Sequence, residues 1–120
     1  VFETAKPIGL IEKVLAVGSA NDDLIVDFFS GSATTAHAIM RSNIERKAQR
    51  KYILVQLKEP VKEGSEAEKA GYKTIDQLGM DRIKNAAHLL HEQNADTTVD
   101  LGFKHYTLAE VSQNTLDKID

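Results

Sequence analysis

The residues best suited to bind a ligand lie between Asp27 and Thr35, which read DFFSGSATT. An apolar run with high β-propensity starts just before them at Leu24, and a helical pattern starts after them at Ala36. The first backbone N–H groups of a helix have no partner within the helix, and together with the helix dipole they attract a negative or polar ligand group. Gly31 allows a ligand to approach the backbone closely.

Side chains around this turn could add specific contacts. Thr34 and Thr35 carry hydroxyl donors, and Asp27 carries a carboxylate that could accept a hydrogen bond from a ligand amine or hydroxyl. The phosphate-binding fingerprints GxGxxG and GxxxxGK[ST] are absent, because Gly31 is the only glycine of the turn and no lysine follows. On the residues alone, a turn that binds nothing is an equally good interpretation.

The hydrophobic pattern predicts the elements that position the turn. We predict a strand over residues 24–28 that is buried on both faces, followed by a helix from Thr34 to about Ser42. A second strand over residues 52–57 should pair in parallel with the first, with the helix crossing over. Gln56 lies near the end of that strand, where such folds commonly place a group that contacts a ribose hydroxyl.

Four further segments have a clear pattern. We predict a helix from Pro7 to Val17, a short helix capped by Ser65 that ends at Gly71, and a longer helix from Thr74 to about Glu92. Alternating side chains over residues 102–108 predict a third strand.

Three motifs resemble those of the modification subunits of type III restriction–modification systems, which are DNA amino-methyltransferases. Residues 27–38, DFFSGSATTAHA, are similar to the S-adenosylmethionine motif DFFAGSGTTAHA of that family. Residues 2–7, FETAKP, with the Leu-Ile pair at 10–11, resemble the FxTxKPxxLI motif that precedes it, and residues 50–57, RKYILVQL, resemble its second strand. Ala33 departs from the pattern, in which glycine is frequent, and alanine disfavours a positive φ.

The resemblance implies an α/β fold, as a partial Rossmann-like, three-layer sandwich of the class I S-adenosylmethionine-dependent methyltransferases and a fragment of a larger parallel sheet. Residues 1–110 would form the cofactor-binding part of the methyltransferase domain, and residues 111–120 a C-terminal tail. The cofactor would be S-adenosyl-L-methionine. The residues implied to hold it are Thr4, Lys6, Pro7, Asp27, Phe28, Phe29, Gly31, Ser32, Thr34, Thr35 and Gln56. No catalytic residue and no metal ligand is expected in this chain.

The resemblance also implies what the parent enzyme does. It would methylate adenine N6 in DNA in the bacterial cytoplasm, with DNA and a restriction subunit as partners and as a homodimer. The [DNS]PP[YF] motif that such enzymes use to bind the target amine is absent, since the only prolines are Pro7 and Pro60. In that class the catalytic and recognition regions precede the cofactor motifs, and this chain begins with Val1. We therefore expect a piece of a longer enzyme, inactive by itself.

Composition narrows the function classes. The net charge of −3 argues against a self-sufficient DNA-binding domain, which is usually basic. There is no cysteine, which excludes disulfides, thiolate metal sites and a cysteine nucleophile. No long apolar run predicts a membrane span.

Two further groups of residues, one of basic side chains and one of histidines, could each be either a binding site or an ordinary solvated surface. Five basic side chains within eleven residues could contact phosphates, but a solvated helix end is favoured because no aromatic residues alternate with them as in single-strand binders. They are Arg41, Arg46, Lys47, Arg50 and Lys51. His88 and His91 have the i, i+3 spacing of metal ligands, yet a solvated helix face is favoured because no third ligand is evident.

Two alternatives to the methyltransferase interpretation stay open. The chain could be a small α/β module that binds a nucleotide or phosphate at the helix N-terminus, in which case ATP or NAD should compete well. It could also be a structural fragment whose turn is inert. The motif around Thr4 and Lys6 favours the methyltransferase, because a phosphate module has no need of it at that spacing.

Overall fold

The computed structural model describes residues 8–108 and shows a mixed helix and strand structure. In chain order its elements are α1 (Ile8–Gly18), β1 (Leu24–Asp27), α2 (Thr34–Glu45), β2 (Lys51–Leu54), α3 (Glu66–Lys69) and α4 (Ile75–Gln93). The predicted α/β class is confirmed. The four predicted helices are all present, although α2 continues beyond the predicted end to Glu45.

The two strands form a parallel pair with α2 as the crossover, as predicted. Leu24 is paired with Lys51, and Asp27 with Leu54. The parallel hydrogen bonding continues past the strand ends, since Val55 N donates to Asp27 O at 2.8 Å and Ser30 N donates to Val55 O at 3.2 Å. This continuation fixes the start of the loop that leads into α2.

The core lies around α2, which packs against α1, β2 and α4. Ala36, Ala38 and Ile39 of α2 have no exposed surface. One buried cluster joins α2 to Leu15 of α1, and a second joins it to Ile83 and further apolar residues of α4. The small side chains of α2 allow both helices to approach it closely.

The prediction that β1 is buried on both faces is wrong for this chain. Ile25 packs against the core beneath α1 and α2, but Leu24 is 55% exposed and Val26 is 44% exposed. Ile53 of β2 is exposed on the sheet as well, at 50%. The reason is that, within residues 8–108, helices cover only one face of the pair.

The prediction of a third strand over residues 102–108 is also wrong. Within the described residues the sheet has two strands, and this segment has no regular structure. Phe103 does pack against the core cluster, but Gly102 N donates to the side chain of Asp100 at 2.8 Å rather than to a strand. The alternating pattern is not seen in the burial either, because residues 104–108 are all exposed, and a strand also needs a partner that takes its backbone hydrogen bonds.

Of the two helix starts predicted at Ser65 and Thr74, one has a side-chain cap and the other does not. Ser65 caps α3 through its Oγ, which accepts from Glu68 N at 3.3 Å. Thr74 precedes α4, but its hydroxyl makes no cap bond and is buried without a partner. Gln77 instead accepts from Lys73 N at 3.2 Å. In residues 8–108, no helix is long and apolar enough to cross a bilayer.

Arg50 links the elements that carry the sheet. It is only 5% exposed, and its guanidinium donates to Leu15 O and Ser19 O at the end of α1, each at 3.2 Å. It also donates to Ser42 Oγ of α2 at 3.2 Å. At this helix end the guanidinium adds a donor to Leu15 O, which also accepts from Ser19 N at 3.1 Å, and its charge complements the helix dipole.

We predict that Arg50→Lys lowers the free energy of unfolding by about 2–4 kcal/mol, because an ammonium cannot reproduce the planar fork that bonds Leu15 O, Ser19 O and Ser42 Oγ together. Urea denaturation of the 120-residue chain measures this. The neighbouring exposed residue provides the control, since Lys51→Gln should change stability by less than about 0.5 kcal/mol. Equal effects of the two substitutions would contradict a linking role for Arg50.

Candidate ligand site at the carboxyl end of the sheet

The loop between β1 and α2, residues 28–33, is called here the β1–α2 loop. Its shape depends on Asp27, the last residue of β1. Asp27 Oδ1 accepts from Phe29 N at 3.0 Å, and Oδ2 accepts from Thr35 Oγ1 at 2.8 Å. One carboxylate therefore joins the strand end, the loop and the first turn of α2. Phe28 and Phe29 extend outward and are 67% and 89% exposed.

Two residues of the loop have left-handed backbone. Gly31 has φ 52°, and space is open where a Cβ would project from it. Ala33 has φ 64° and ψ 33° and is 2% exposed. For a non-glycine residue this conformation is uncommon, and the surrounding structure must stabilise it. The sequence pattern identified Ala33 as the departure, and the structure places the strain there.

The N-terminus of α2 faces this loop and lacks a side-chain cap. Ala33 is the N-cap residue and makes no side-chain cap bond, so the helix keeps the anion-attracting character of an uncapped end. Ser32 and Thr34 are 4% and 7% exposed, and their hydroxyl oxygens are 3.2 Å apart. These two predicted donors are thus bonded to each other inside the loop, whereas Thr35 is only partly buried.

Gln56 reaches the loop from the end of β2. Its Oε1 accepts from Gly31 N at 2.7 Å, and its Nε2 donates to Leu57 O at 3.0 Å. The residue predicted to contact a ribose hydroxyl is therefore brought to the predicted glycine, at the same edge of the sheet. The structure thus brings together the predicted residues from Asp27 to Thr35 with Gln56, while Thr4, Lys6 and Pro7 lie outside the described residues.

The pattern-based prediction missed the contribution of α4. Gly79 is buried against the β1–α2 loop, and Arg82 lies 3.5 Å from Ser32 Oγ. Sequence spacing gives no sign that residues 50 positions apart meet. The available signal was their i, i+3 spacing, which puts Gly79 and Arg82 on the same side of α4 but does not indicate what they contact.

Two of the five basic residues between Arg41 and Lys51 make contacts within the protein. Arg41 forms a hydrogen-bonded ion pair with Glu12 of α1, which holds the pKa of Glu12 below its ordinary value. Arg50 is buried among backbone and hydroxyl oxygens. The exposed basic residues that could still meet a phosphate in this stretch are Arg46, Lys47 and Lys51. Of the five basic residues considered for phosphate contact, the structure therefore leaves only these three side chains available.

The two histidines of α4 are not part of a metal cluster. His88 Nε2 lies 3.0 Å from Glu92 Oε1, with both side chains largely exposed. Across residues 8–108, no group of three or more His, Asp or Glu side chains is arranged to hold a metal ion.

His37 lies on α2 behind the loop, between three charged side chains. Burial lowers the pKa of His37, and the positive charges of Arg82 from α4 and Arg41 from α2 lower it further, whereas Glu12 from α1 acts in the opposite direction. Its Nδ1 is 3.5 Å from Arg82 Nη2, which requires the neutral ring to accept there. His37 therefore stabilises this arrangement in its neutral form.

Comparison with known proteins gives a consistent set of relatives. Residues 1–88 match the family model described as DNA methylase, of the N6 and N4 type. The whole chain is 42% identical to the type III restriction-modification enzyme StyLTI Mod subunit of Salmonella typhimurium, of which it covers 18%. Over 89% of its length it is 38% identical to the EcoP15I Mod subunit of Escherichia coli, of which it covers 15%.

A relative of another type matches the same region. Over 69% of its length the chain is 35% identical to the type II methyltransferase M.KpnI of Klebsiella pneumoniae, of which it covers 20%. The chain thus spans at most about a fifth of the length of these relatives.

We predict that Ala33→Gly changes the free energy of unfolding by less than about 1 kcal/mol, because relief of the left-handed strain offsets the loss of a buried methyl group. Ala36→Gly is the matched control. It also removes a buried methyl group, but from a helix, so it should cost about 1–2 kcal/mol. Chemical denaturation compares the two. If Ala33→Gly cost as much as Ala36→Gly, the left-handed conformation of Ala33 would be contradicted.

We predict that the stability advantage of wild type over His37→Gln shrinks as the pH falls below about 6.5, the ordinary pKa of histidine. The pKa of His37 is lowered in the folded state, so the unfolded chain takes up the proton first and stability is lost on acidification. Urea denaturation at pH 7.5, 6.5 and 5.5 measures the difference. Gly9→Ala, which leaves every titratable side chain in place, is the control, and its difference from wild type should not change with pH. A constant difference between wild type and His37→Gln would contradict the lowered pKa.

Proposed function

Because the chain belongs to the DNA methylase family, we propose that it forms the S-adenosyl-L-methionine-binding part of a DNA adenine N6-methyltransferase of a type III restriction–modification system. The Mod subunits named above support the type III assignment, since they match 89% to 100% of the chain. The family model supports methylation of an amino group in DNA.

The observation that carries the proposal is the structure of the β1–α2 loop. Open parallel sheets bind ligands outside the carboxyl ends of their strands, and this loop lies at that edge, where β1 continues into α2. The open space beside Gly31 lets a ligand reach the backbone, and the helix N-terminus behind it has no side-chain cap. The residues present therefore fit a polar nucleoside-type ligand.

Individual residues have distinct proposed roles. Gln56 would bind the ribose, because its amide can donate to one hydroxyl oxygen while it keeps Gly31 in place. Phe28 and Phe29 would pack on the adenosyl group, as their rings are exposed at the edge of the site. Thr4, Lys6 and Pro7 would complete the site from the preceding segment. When bound, S-adenosylmethionine supplies the methyl group.

The charge of Asp27 favours this ligand over a nucleotide. Asp27 places a carboxylate in the loop that bonds Phe29 N and Thr35 Oγ1. A polyphosphate would meet this negative charge at close range, whereas the sulfonium and ammonium groups of S-adenosylmethionine are positive. The uncapped helix end is the observation that favours the phosphate module, and Asp27 opposes it.

The rest of the reaction requires residues that this sequence lacks. The [DNS]PP[YF] motif, which would hydrogen-bond the target amine and stack on a flipped base, is absent. We therefore propose that residues 1–120 bind cofactor and do not transfer the methyl group alone. DNA and a restriction subunit are the proposed partners of the whole protein, in the bacterial cytoplasm, with a homodimer as its assembly.

The finer fold is part of the same proposal. In a Rossmann-like, three-layer sandwich, helices cover both faces of the sheet. The exposed apolar face made by Leu24, Val26 and Ile53 is where the second helical layer would pack. Residues 1–110 would then be the cofactor-binding part of that domain, and residues 111–120 a tail.

We predict that S-adenosylmethionine binds the 120-residue chain and that ATP does not compete, as followed by calorimetry and by backbone amide shifts of residues 27–35. Thr35→Val should weaken binding by about tenfold, because it removes the hydrogen bond that orients the Asp27 carboxylate.

The matched control is Thr74→Val, which removes a buried hydroxyl that has no partner and should leave affinity unchanged. Tight binding of ATP without binding of S-adenosylmethionine would contradict the methyltransferase assignment and support the phosphate-binding module. Failure of both ligands, also in the whole protein, would mean that the turn is structural.

A further inference from the structure

One side of α4 lies directly against the β1–α2 loop. A Cβ added at Gly79 would be 3.0 Å from Gly31 O and 3.7 Å from Ala33 Cβ. Such a distance to a backbone oxygen is tighter than nine in ten real Cβ contacts, so the neighbouring backbone would have to move by a few tenths of an ångström. Glycine at position 79 therefore allows α4 to approach the loop this closely without displacing its backbone.

The contact surface continues along α4. Ile83 is 5% exposed and packs in one cluster with Ala33 and Ala36. The left-handed Ala33 is thus enclosed by α4 on one side and by its own helix on the other. A strained backbone conformation persists only where neighbouring groups hold it, and α4 supplies such groups.

Arg82 adds a polar contact from the same side of α4. Its Nη1 lies 3.5 Å from Ser32 Oγ, and its Nη2 lies 3.5 Å from His37 Nδ1. The side chain is half-buried, and burial lowers the pKa of the guanidinium. In the described part of the chain no carboxylate forms an ion pair with it. Its donors are directed at the loop and at the first turns of α2.

We infer that α4 sets the conformation of the β1–α2 loop, and through it the affinity for the ligand, with Gly79 and Arg82 as positioning residues that do not touch the ligand. The consequence for affinity depends on the proposed function, in which the loop binds S-adenosylmethionine. The inference that α4 sets the loop conformation depends only on the contacts of Gly79, Arg82 and Ile83.

The first test compares two helical glycines. Gly79→Ala should push Gly31 O away by a few tenths of an ångström, so the amide resonances of residues 31–33 should shift, and affinity for S-adenosylmethionine should fall by roughly 3- to 30-fold. Gly9→Ala, in α1, meets no atom within 4 Å. It should raise the melting temperature by about 3–6 °C through helix propensity, with unchanged loop resonances and affinity.

The second test uses Arg82, in case Gly79→Ala fails to fold. Arg82→Gln removes a positive charge near His37, so the pKa of His37 measured by NMR should rise, and the Ser32 amide should shift. Lys84→Gln, an exposed cation on the same helix, is the control for loss of charge and should change neither. The same two variants are titrated with S-adenosylmethionine, and only Arg82→Gln should bind more weakly.

The outcomes separate the inference from the proposed function. Shifted loop resonances in Gly79→Ala and Arg82→Gln, together with weaker binding than their controls, support both. If neither the wild-type chain nor the whole protein binds S-adenosylmethionine but the loop resonances shift as described, the proposed function fails and α4 still sets the loop. Loop resonances and affinity equal to those of wild type in both variants overturn the inference.

Discussion

The arrangement of the sheet and of its ligand-facing edge depends on how the buried guanidinium of Arg50 is satisfied. Its charge has no carboxylate partner in the described structure, and carbonyl and hydroxyl oxygens of α1 and α2 surround it instead. The same residue is held through its backbone, because the side-chain amide of Asn43 bonds both Arg50 N and Arg50 O. Removing such a group from water is costly, so the three elements must come together to meet it. Arg50 precedes β2, and its placement therefore fixes where β2 starts relative to β1.

The position at which β2 starts determines which residues meet at the carboxyl end of the strand pair. With Leu24 opposite Lys51, the parallel register brings Asp27 opposite Leu54 and carries Gln56 to the loop. The 2.7 Å bond between Gln56 Oε1 and Gly31 N is possible only in this register. A shift by one residue would turn the side chain of Gln56 to the other face. A buried basic residue at the amino end of β2 thus controls the geometry of a polar site at its carboxyl end.

The features that could be predicted from the sequence are those that follow from local hydrophobic periodicity and from the rule that a helix connects two parallel strands. The helix α2 and its parallel strand pair follow from the apolar run at residues 24–29 and the small residues after it. What depended on distant partners was missed: Arg50 was grouped with surface cations, because its bonds go to residues 31 and 35 positions away. The segment 102–108 alternates like a strand but has no partner in the described structure. Likewise, Leu24 and Val26 have the composition of a doubly buried strand, but the described residues cover only one face.

The bonds within the loop also indicate how a ligand can be accommodated. The polar groups that the sequence singled out already bond to each other: Gly31 N to Gln56, Phe29 N and Thr35 Oγ1 to Asp27, and Ser32 to Thr34. A ligand therefore meets a loop whose polar groups already have partners and whose backbone is packed against α4. Each carboxylate oxygen of Asp27 has a further lone pair, and the amide of Gln56 has a second N–H, so both can bond a ligand while they keep their internal partners. Binding then requires little reordering of the backbone. The loss of conformational entropy that ordering the loop entails has already occurred on folding, so it does not weaken the affinity.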